Sequence, residues 1–127
     1  MSARRAYVDA SCLVALVLNE PNAAQVRDRL AAFETLLAHP LVEAEVRSAA
    51  AREKLALDLE ELDNLTWMPV ARVGTELARV LAAGYLRGAD AFHLACALYA
   101  SPVPSDLTFL TLDTKQRAVA KSLGFRT

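Results

Sequence analysis

Ala6-Tyr7-Val8-Asp9-Ala10-Ser11 is a short apolar run that stops on an aspartate and passes straight into a helix-forming stretch, residues 11–18. Near the other end of the chain Phe109-Leu110-Thr111-Leu112-Asp113 repeats the arrangement, with residues 114–123 as its helix. β-Branched and aromatic residues fit a pleated, half-buried surface, and an Asp just past such a run can accept the first free N–H groups of a helix. Both stretches therefore read as strand–helix units. Outward from them the same alternation continues. Residues 22–33 carry Ala23, Val26, Leu30 and Phe33 at helical spacing behind the break Glu20-Pro21-Asn22. Residues 35–38 read as a strand, 41–55 as a long helix after His39-Pro40, and 57–65 as a helix with an acidic outer face. Residues 66–70 read as a short strand whose Pro69 suits a sheet edge, because proline has no N–H for a ladder. Helices follow at 73–83, stopped by Gly84, and at 90–100; a loop at 101–105 leads to the strand 107–112, and 124–126 can add a last short strand. Strands alternating with helices predict one α/β domain over residues 1–127 with a mostly parallel sheet.

Composition agrees with a helix-rich packed domain. The hydrophobic fraction is 54%, which excludes an intrinsically disordered chain. Alanine (25) and leucine (21) dominate and only four glycines occur, which disfavours an all-β sandwich. The longest apolar run, from Cys12 to Leu18, is too short to span a membrane, and the opening Met1-Ser2-Ala3-Arg4-Arg5 has no apolar signal core, so a cytoplasmic location is expected. Fourteen basic against fifteen acidic residues give a net charge of −1, so the chain cannot coat nucleic acid electrostatically. Any such contact must be local or helped by a metal. Cys12 and Cys96 lack CxxC partners and read as buried free thiols.

Parallel α/β sheets place their ligand crevice beyond the carboxyl ends of the strands. Asp9 and Asp113 occupy that position, and each is either a helix cap or a crevice ligand. Asp90, in Leu86-Arg87-Gly88-Ala89-Asp90-Ala91-Phe92-His93-Leu94-Ala95, opens an almost wholly apolar helix. A half-buried carboxylate needs a cation, which is either Arg87 or a metal ion. Glu43 and Glu45 lie two apart on one helix and point about 200° from each other. Glu43 has Arg47 four residues on, a surface pair, while Glu45 sits on the less polar face and is the inward acid. Carboxylates gathered in one place require a counter-charge, and an oxygen-only donor set selects hard ions such as Mg²⁺ or Mn²⁺. Such ions activate water and stabilise a pentacovalent phosphate, the chemistry of metal-dependent nucleases.

Taken together, the segments Tyr7-Val8-Asp9-Ala10-Ser11, Glu45-Val46-Arg47-Ser48-Ala49, Leu86 to Ala95 and Phe109-Leu110-Thr111-Leu112-Asp113 with the closing Leu123-Gly124-Phe125 resemble the PIN-domain ribonucleases. Within them they are similar to the small VapC-like toxins of toxin–antitoxin pairs. The resemblance covers essentially the whole chain. It implies a three-layer α/β/α fold and a pocket of Asp9, Glu45, Asp90 and Asp113 that holds Mg²⁺ or Mn²⁺. Ser11 and Thr111 carry over as supporting polar groups near the metal, or serve only in caps and loops. The implied activity is endoribonuclease cleavage of single-stranded RNA, often tRNA or rRNA. The implied partner is a small VapB-like antitoxin whose basic side chain enters the pocket and whose apolar contacts fall between Leu13 and Phe33. A homodimer is expected. His39-Pro40 departs from the small hydroxyl residue that many relatives carry there, and Gln116 from the apolar residue often found three after the last acid. His93, one turn after Asp90, reads as a packing or hydrogen-bonding residue. A catalytically silent binding module and a housekeeping RNA nuclease are the alternatives. An aspartyl phosphatase is disfavoured, since Ser11 stands where its second Asp belongs.

Overall fold

The computed structural model describes residues 4–57, 60–69 and 72–127. In chain order the elements are β1 (Arg5–Val8), α1 (Ala10–Val17), α2 (Ala23–Ala31), β2 (Thr35–Ala38), α3 (Leu41–Arg52), α4 (Glu60–Asp63), β3 (Thr66–Trp67), α5 (Gly74–Ala83), α6 (Gly88–Ala100), β4 (Thr108–Leu110) and α7 (Thr114–Leu123), with a 3-10 turn at Pro104–Asp106. The sheet runs β3-β2-β1-β4 and every pairing in it is parallel. β1 and β4 are therefore neighbours, in the register Ala6↔Thr108, Tyr7↔Phe109 and Val8↔Leu110. The chain leaves β1 toward β2 on one side and returns to β4 on the other, so the order reverses between β1 and β4. That switch point is where an open parallel sheet leaves a crevice.

The pleat of β1 sorts its side chains into two cores. Ala6 and Val8 join Leu110 and Ala38 beneath α1, α2 and α3, packed on Leu13, Leu16, Val26, Leu30, Val42 and Val46. Tyr7 points the other way with Leu37 and Phe109, beneath α5, α6 and α7, on Val80, Leu94, Leu98 and Val119. Helices cover both sheet faces, the three-layer α/β/α arrangement expected. Cys12 and Cys96 are buried free thiols, and burial pushes both up to about 12. No helix among the described residues is long and apolar enough to cross a membrane.

Element ends differ from the sequence reading in instructive ways. α3 stops at Arg52 instead of 55, because Lys54 turns to φ 55° and the Leu55 N–H returns to the Ala50 carbonyl at 2.9 Å. The helix expected over 57–65 is one turn, Glu60–Asp63; residues 58 and 59 lie outside the described residues, as do Met1 to Ala3 and Val70. β3 lies at the sheet edge, as Pro69 predicts, and Met68 donates one further bond to the Ala38 carbonyl at 2.9 Å. The strand expected at 124–126 reduces to a single parallel bridge between Arg126 and Thr108. The early helices also correct an expectation. Leu13, Leu16, Leu30 and Phe33 are buried in the protein's own core and are not an open apolar surface. The amphipathic stripe was real, but its inner face already has a partner in the sheet.

Gly84 ends α5 with φ 174°, an extended value open to any residue. The need for glycine there is a close approach: a Cβ would stand 2.9 Å from the Val119 Cγ2 of α7. Valine has little χ1 freedom with which to yield. Gly84→Ala is expected to destabilise the fold by about 1–2 kcal/mol through overpacking. Chemical denaturation should show a lower midpoint at unchanged slope.

Candidate active site

The crevice is built from the strand ends upward. β1 hands over to α1 at Asp9, whose N–H still donates to the Leu110 carbonyl at 2.9 Å and prolongs the β1–β4 pairing. Asp9 is the N-cap of α1: its Oδ2 accepts from the Ser11 N–H at 3.0 Å. Asp113 caps α7 in the same manner, accepting from the Gln116 N–H at 2.7 Å. Both acids are thus helix caps at neighbouring strand ends, and the cap bond leaves the second carboxylate oxygen of each outside it. Asp9 is buried at the floor, whereas Asp113 is exposed at the rim.

Asp90 is not a cap. α6 begins two residues earlier than the sequence reading, at Gly88, so the N-cap is Arg87 and Asp90 lies inside the first turn. Its carboxyl titrates above the usual carboxylate value, first because of burial and then because of the charges of Asp9, Asp113 and Glu45. Acids from four separate segments therefore share one electrostatic neighbourhood. On α3, Glu43 pairs with Arg47 at 2.7 Å on the surface, and Glu45 turns inward to His93, whose Nε2 stands 2.5 Å from its Oε1. Arg87, the alternative counter-ion for Asp90, makes no ion pair among the described residues.

Ser11 and Thr111 tie the two strand ends together. Their hydroxyl oxygens are 3.3 Å apart, and Ser11 Oγ accepts from the Leu112 N–H at 3.0 Å. Thr111 Oγ1 accepts from the Asp113 N–H at 3.1 Å and donates to Gln116 Oε1 at 2.6 Å. The Thr111 proton is committed to Gln116, so Ser11 donates in the shared pair. Gln116 is fully buried and closes the network: its Nε2 donates to Asp9 Oδ1 at 3.3 Å and to the Asp90 carbonyl at 3.2 Å. The sequence reading noted Gln116 as a departure and assigned it no role. A signal existed, since Asp113-Thr114-Lys115-Gln116 has capping-box spacing, but that motif sends the Gln side chain back to the cap. Here it turns inward.

His39 resolves the other departure. Its Nδ1 accepts from the Leu41 N–H at 3.0 Å, taking the place of a hydroxyl at the start of α3. Its ring packs edge-on against Phe92 with centroids 4.7 Å apart. His93 is fully buried and hydrogen-bonded, the packing and hydrogen-bonding role expected of it.

Among the described residues, no three His, Cys, Asp or Glu side chains close into a finished ligand cage. Asp9 and Asp113 each commit an oxygen to a helix cap. The donor set itself is all carboxylate at a crevice open to water. That chemistry fits a hard divalent ion that keeps several waters and takes few protein ligands.

No curated protein matches the chain. The family model described as PIN domain matches residues 6–122, a span from β1 into α7 that includes Asp9, Glu45, Asp90 and Asp113. With that match over most of its length, and with its parallel sheet between two helical layers, the chain belongs to the PIN domain family and has its nuclease-type fold.

Proposed function

We propose that this protein is an endoribonuclease dependent on Mg²⁺ or Mn²⁺, that it cuts single-stranded regions of RNA such as tRNA or rRNA, and that it is the VapC-like toxin of a toxin–antitoxin pair. The observation that carries the nuclease reading is the PIN domain match over residues 6–122, on a sheet whose neighbouring strands β1 and β4 end at Asp9 and Asp113. In this reading Asp9, Glu45, Asp90 and Asp113 hold the ion. When bound, such an ion polarises the scissile phosphate and lowers the pKa of the attacking water. Ser11 and Thr111 fix the ends of β1 and β4, so the Asp9 and Asp113 carboxylates keep their spacing when substrate arrives. Hydrolysis joins the water oxygen to phosphorus and breaks one P–O bond of the backbone. The near-neutral chain leaves the affinity for RNA to the ion and to local contacts.

The partner half of the proposal follows from charge. A cluster of carboxylates makes a local negative potential that an Arg from an antitoxin can occupy by pairing with two of them. The same contact excludes RNA and displaces the cation. The active species in this reading is a homodimer.

The test has two arms. Purified protein should cut single-stranded RNA in Mg²⁺ or Mn²⁺, lose all cleavage in excess EDTA, and regain it when the ion is restored. Cleavage that persists in EDTA overturns the metal-dependent mechanism. Co-expression with the product of the adjacent upstream gene should give a complex that purifies together and does not cut. A complex as active as the free protein, or none at all, leaves a nuclease without an antitoxin.

A further inference from the structure

Tyr7 leaves β1 on the face opposite Ala6 and Val8 and stacks on Phe109, with centroids 5.6 Å apart and planes 4° from parallel. Its hydroxyl lies beneath the crevice and not in it. Three hydrogen bonds run through that point. The His39 N–H donates to Tyr7 Oη at 3.2 Å, Tyr7 Oη lies 2.6 Å from His93 Nδ1, and His93 Nε2 lies 2.5 Å from Glu45 Oε1. Tyr7 and His93 are both fully buried. A phenol carries its proton at neutral pH. The Tyr7 oxygen accepts from His39, and its 2.6 Å contact with His93 Nδ1 holds the imidazole ring in place. A carboxylate can only accept, so His93 Nε2 carries a proton and donates it to Glu45. The opposite tautomer would set an Nε2 lone pair against a carboxylate oxygen.

We propose that Tyr7 and His93 form a positioning relay for Glu45: the Tyr7 hydroxyl holds the imidazole ring in place, and the imidazole Nε2–H fixes one Glu45 oxygen so that the carboxylate faces Asp90 and the ion. The relay rests on the nuclease reading above. Neither residue touches substrate. Outer partners of ligating carboxylates orient the donor atom, and their loss commonly weakens metal binding or activity by about 10–100-fold.

The experiment is Mn²⁺ binding followed by the electron paramagnetic resonance signal of the free ion, with thermal melting alongside. Tyr7→Phe keeps the ring and its stacking and removes only the hydroxyl. It should weaken Mn²⁺ binding by about 10-fold, the low end for an outer partner because it acts through His93. In a Glu45→Ala background the same change should weaken binding no further, since nothing remains to be positioned. Should Tyr7→Phe fail to fold, His93→Gln and His93→Leu serve instead. The Gln amide N–H can still donate to Glu45, so Gln should keep Mn²⁺ affinity and Leu should lose it. Tyr7→Phe that binds Mn²⁺ like wild type, an equal loss with and without Glu45, or Gln as weak as Leu overturns the relay and leaves the nuclease reading standing. Wild-type protein that binds no Mn²⁺ overturns both.

Discussion

Asp90→Asn is expected to abolish RNA cleavage while leaving the fold at least as stable in the absence of divalent ions. Losing one carboxylate from the ion's donor set removes part of a charge stabilisation worth several kcal/mol in a transition state. At 1.36 kcal/mol per tenfold in rate, a fall of about 1000-fold follows. The stability effect has the opposite sign. Burial and the charges of Asp9, Asp113 and Glu45 raise the Asp90 carboxyl in the folded state. A raised carboxyl binds its proton more tightly folded than unfolded, so its ionised form subtracts stability above the folded pKa. That penalty shrinks as pH falls through the folded pKa and is gone below the ordinary carboxylate value. Asparagine has the same shape and no charge. In EDTA the variant should therefore melt at or above wild type near neutral pH, and the advantage should fade on acidification. Asp90 lies in the first turn of α6, where a negative charge gains about 0.3–1 kcal/mol from the helix dipole, which trims the advantage. Added Mg²⁺ should reverse the order, since only wild type then has its counter-charge. Melting curves at two pH values, with and without Mg²⁺, check all three statements. A variant that cuts RNA at the wild-type rate removes Asp90 from the site.

What could be read before the coordinates was local. Asp9 and Asp113 follow apolar runs and precede helices, and both the strand–helix units and the caps were visible in those few residues. Glu43 and Glu45 separated on helical geometry alone, because Arg47 lies four residues from the first and not from the second. Pro69 marked the edge strand through its missing N–H. Contacts between distant segments were not legible. The Ser11–Thr111 hydrogen bond joins residues on two strands whose adjacency no spacing reveals. The start of α6 was missed because Arg87 offers no capping side chain and the apolar run begins only after Asp90. The leucines of α1 and α2 showed a stripe, and a stripe does not say whether a sheet or a partner will cover it. Gln116 was hidden by ambiguity: its spacing from Asp113 suits a capping box, and only the fold turns its side chain toward Asp9.

Gln116→Leu should expose how much of the crevice depends on that buried amide. The substitution roughly conserves volume, so cavity effects are small and the loss is polar. Thr111 Oγ1 loses its acceptor, and Asp9 Oδ1 and the Asp90 carbonyl lose a donor. A buried group left unpaired costs about 1–3 kcal/mol, and Asp9, being charged and buried, lies at the upper end. Thr111 can rotate its hydroxyl, and the Asp90 carbonyl has other helix partners, so the sum falls below three full penalties. A loss of about 3 kcal/mol is expected without divalent ions, a large part of the stability of a domain this size. The backbone cap of α7 remains, because the Gln116 N–H and not its side chain binds Asp113. With saturating Mg²⁺ the ion can meet the Asp9 oxygen that the amide has left, and much of the deficit should return. Gln116→Glu is the sharper companion. It keeps the acceptor for Thr111 but sets a carboxylate against Asp9, so it should be the less stable of the two in EDTA and the more responsive to Mg²⁺. Equal destabilisation of both variants, unaffected by Mg²⁺, would show that Gln116 braces the core alone and has no part in holding the acids of the crevice in place.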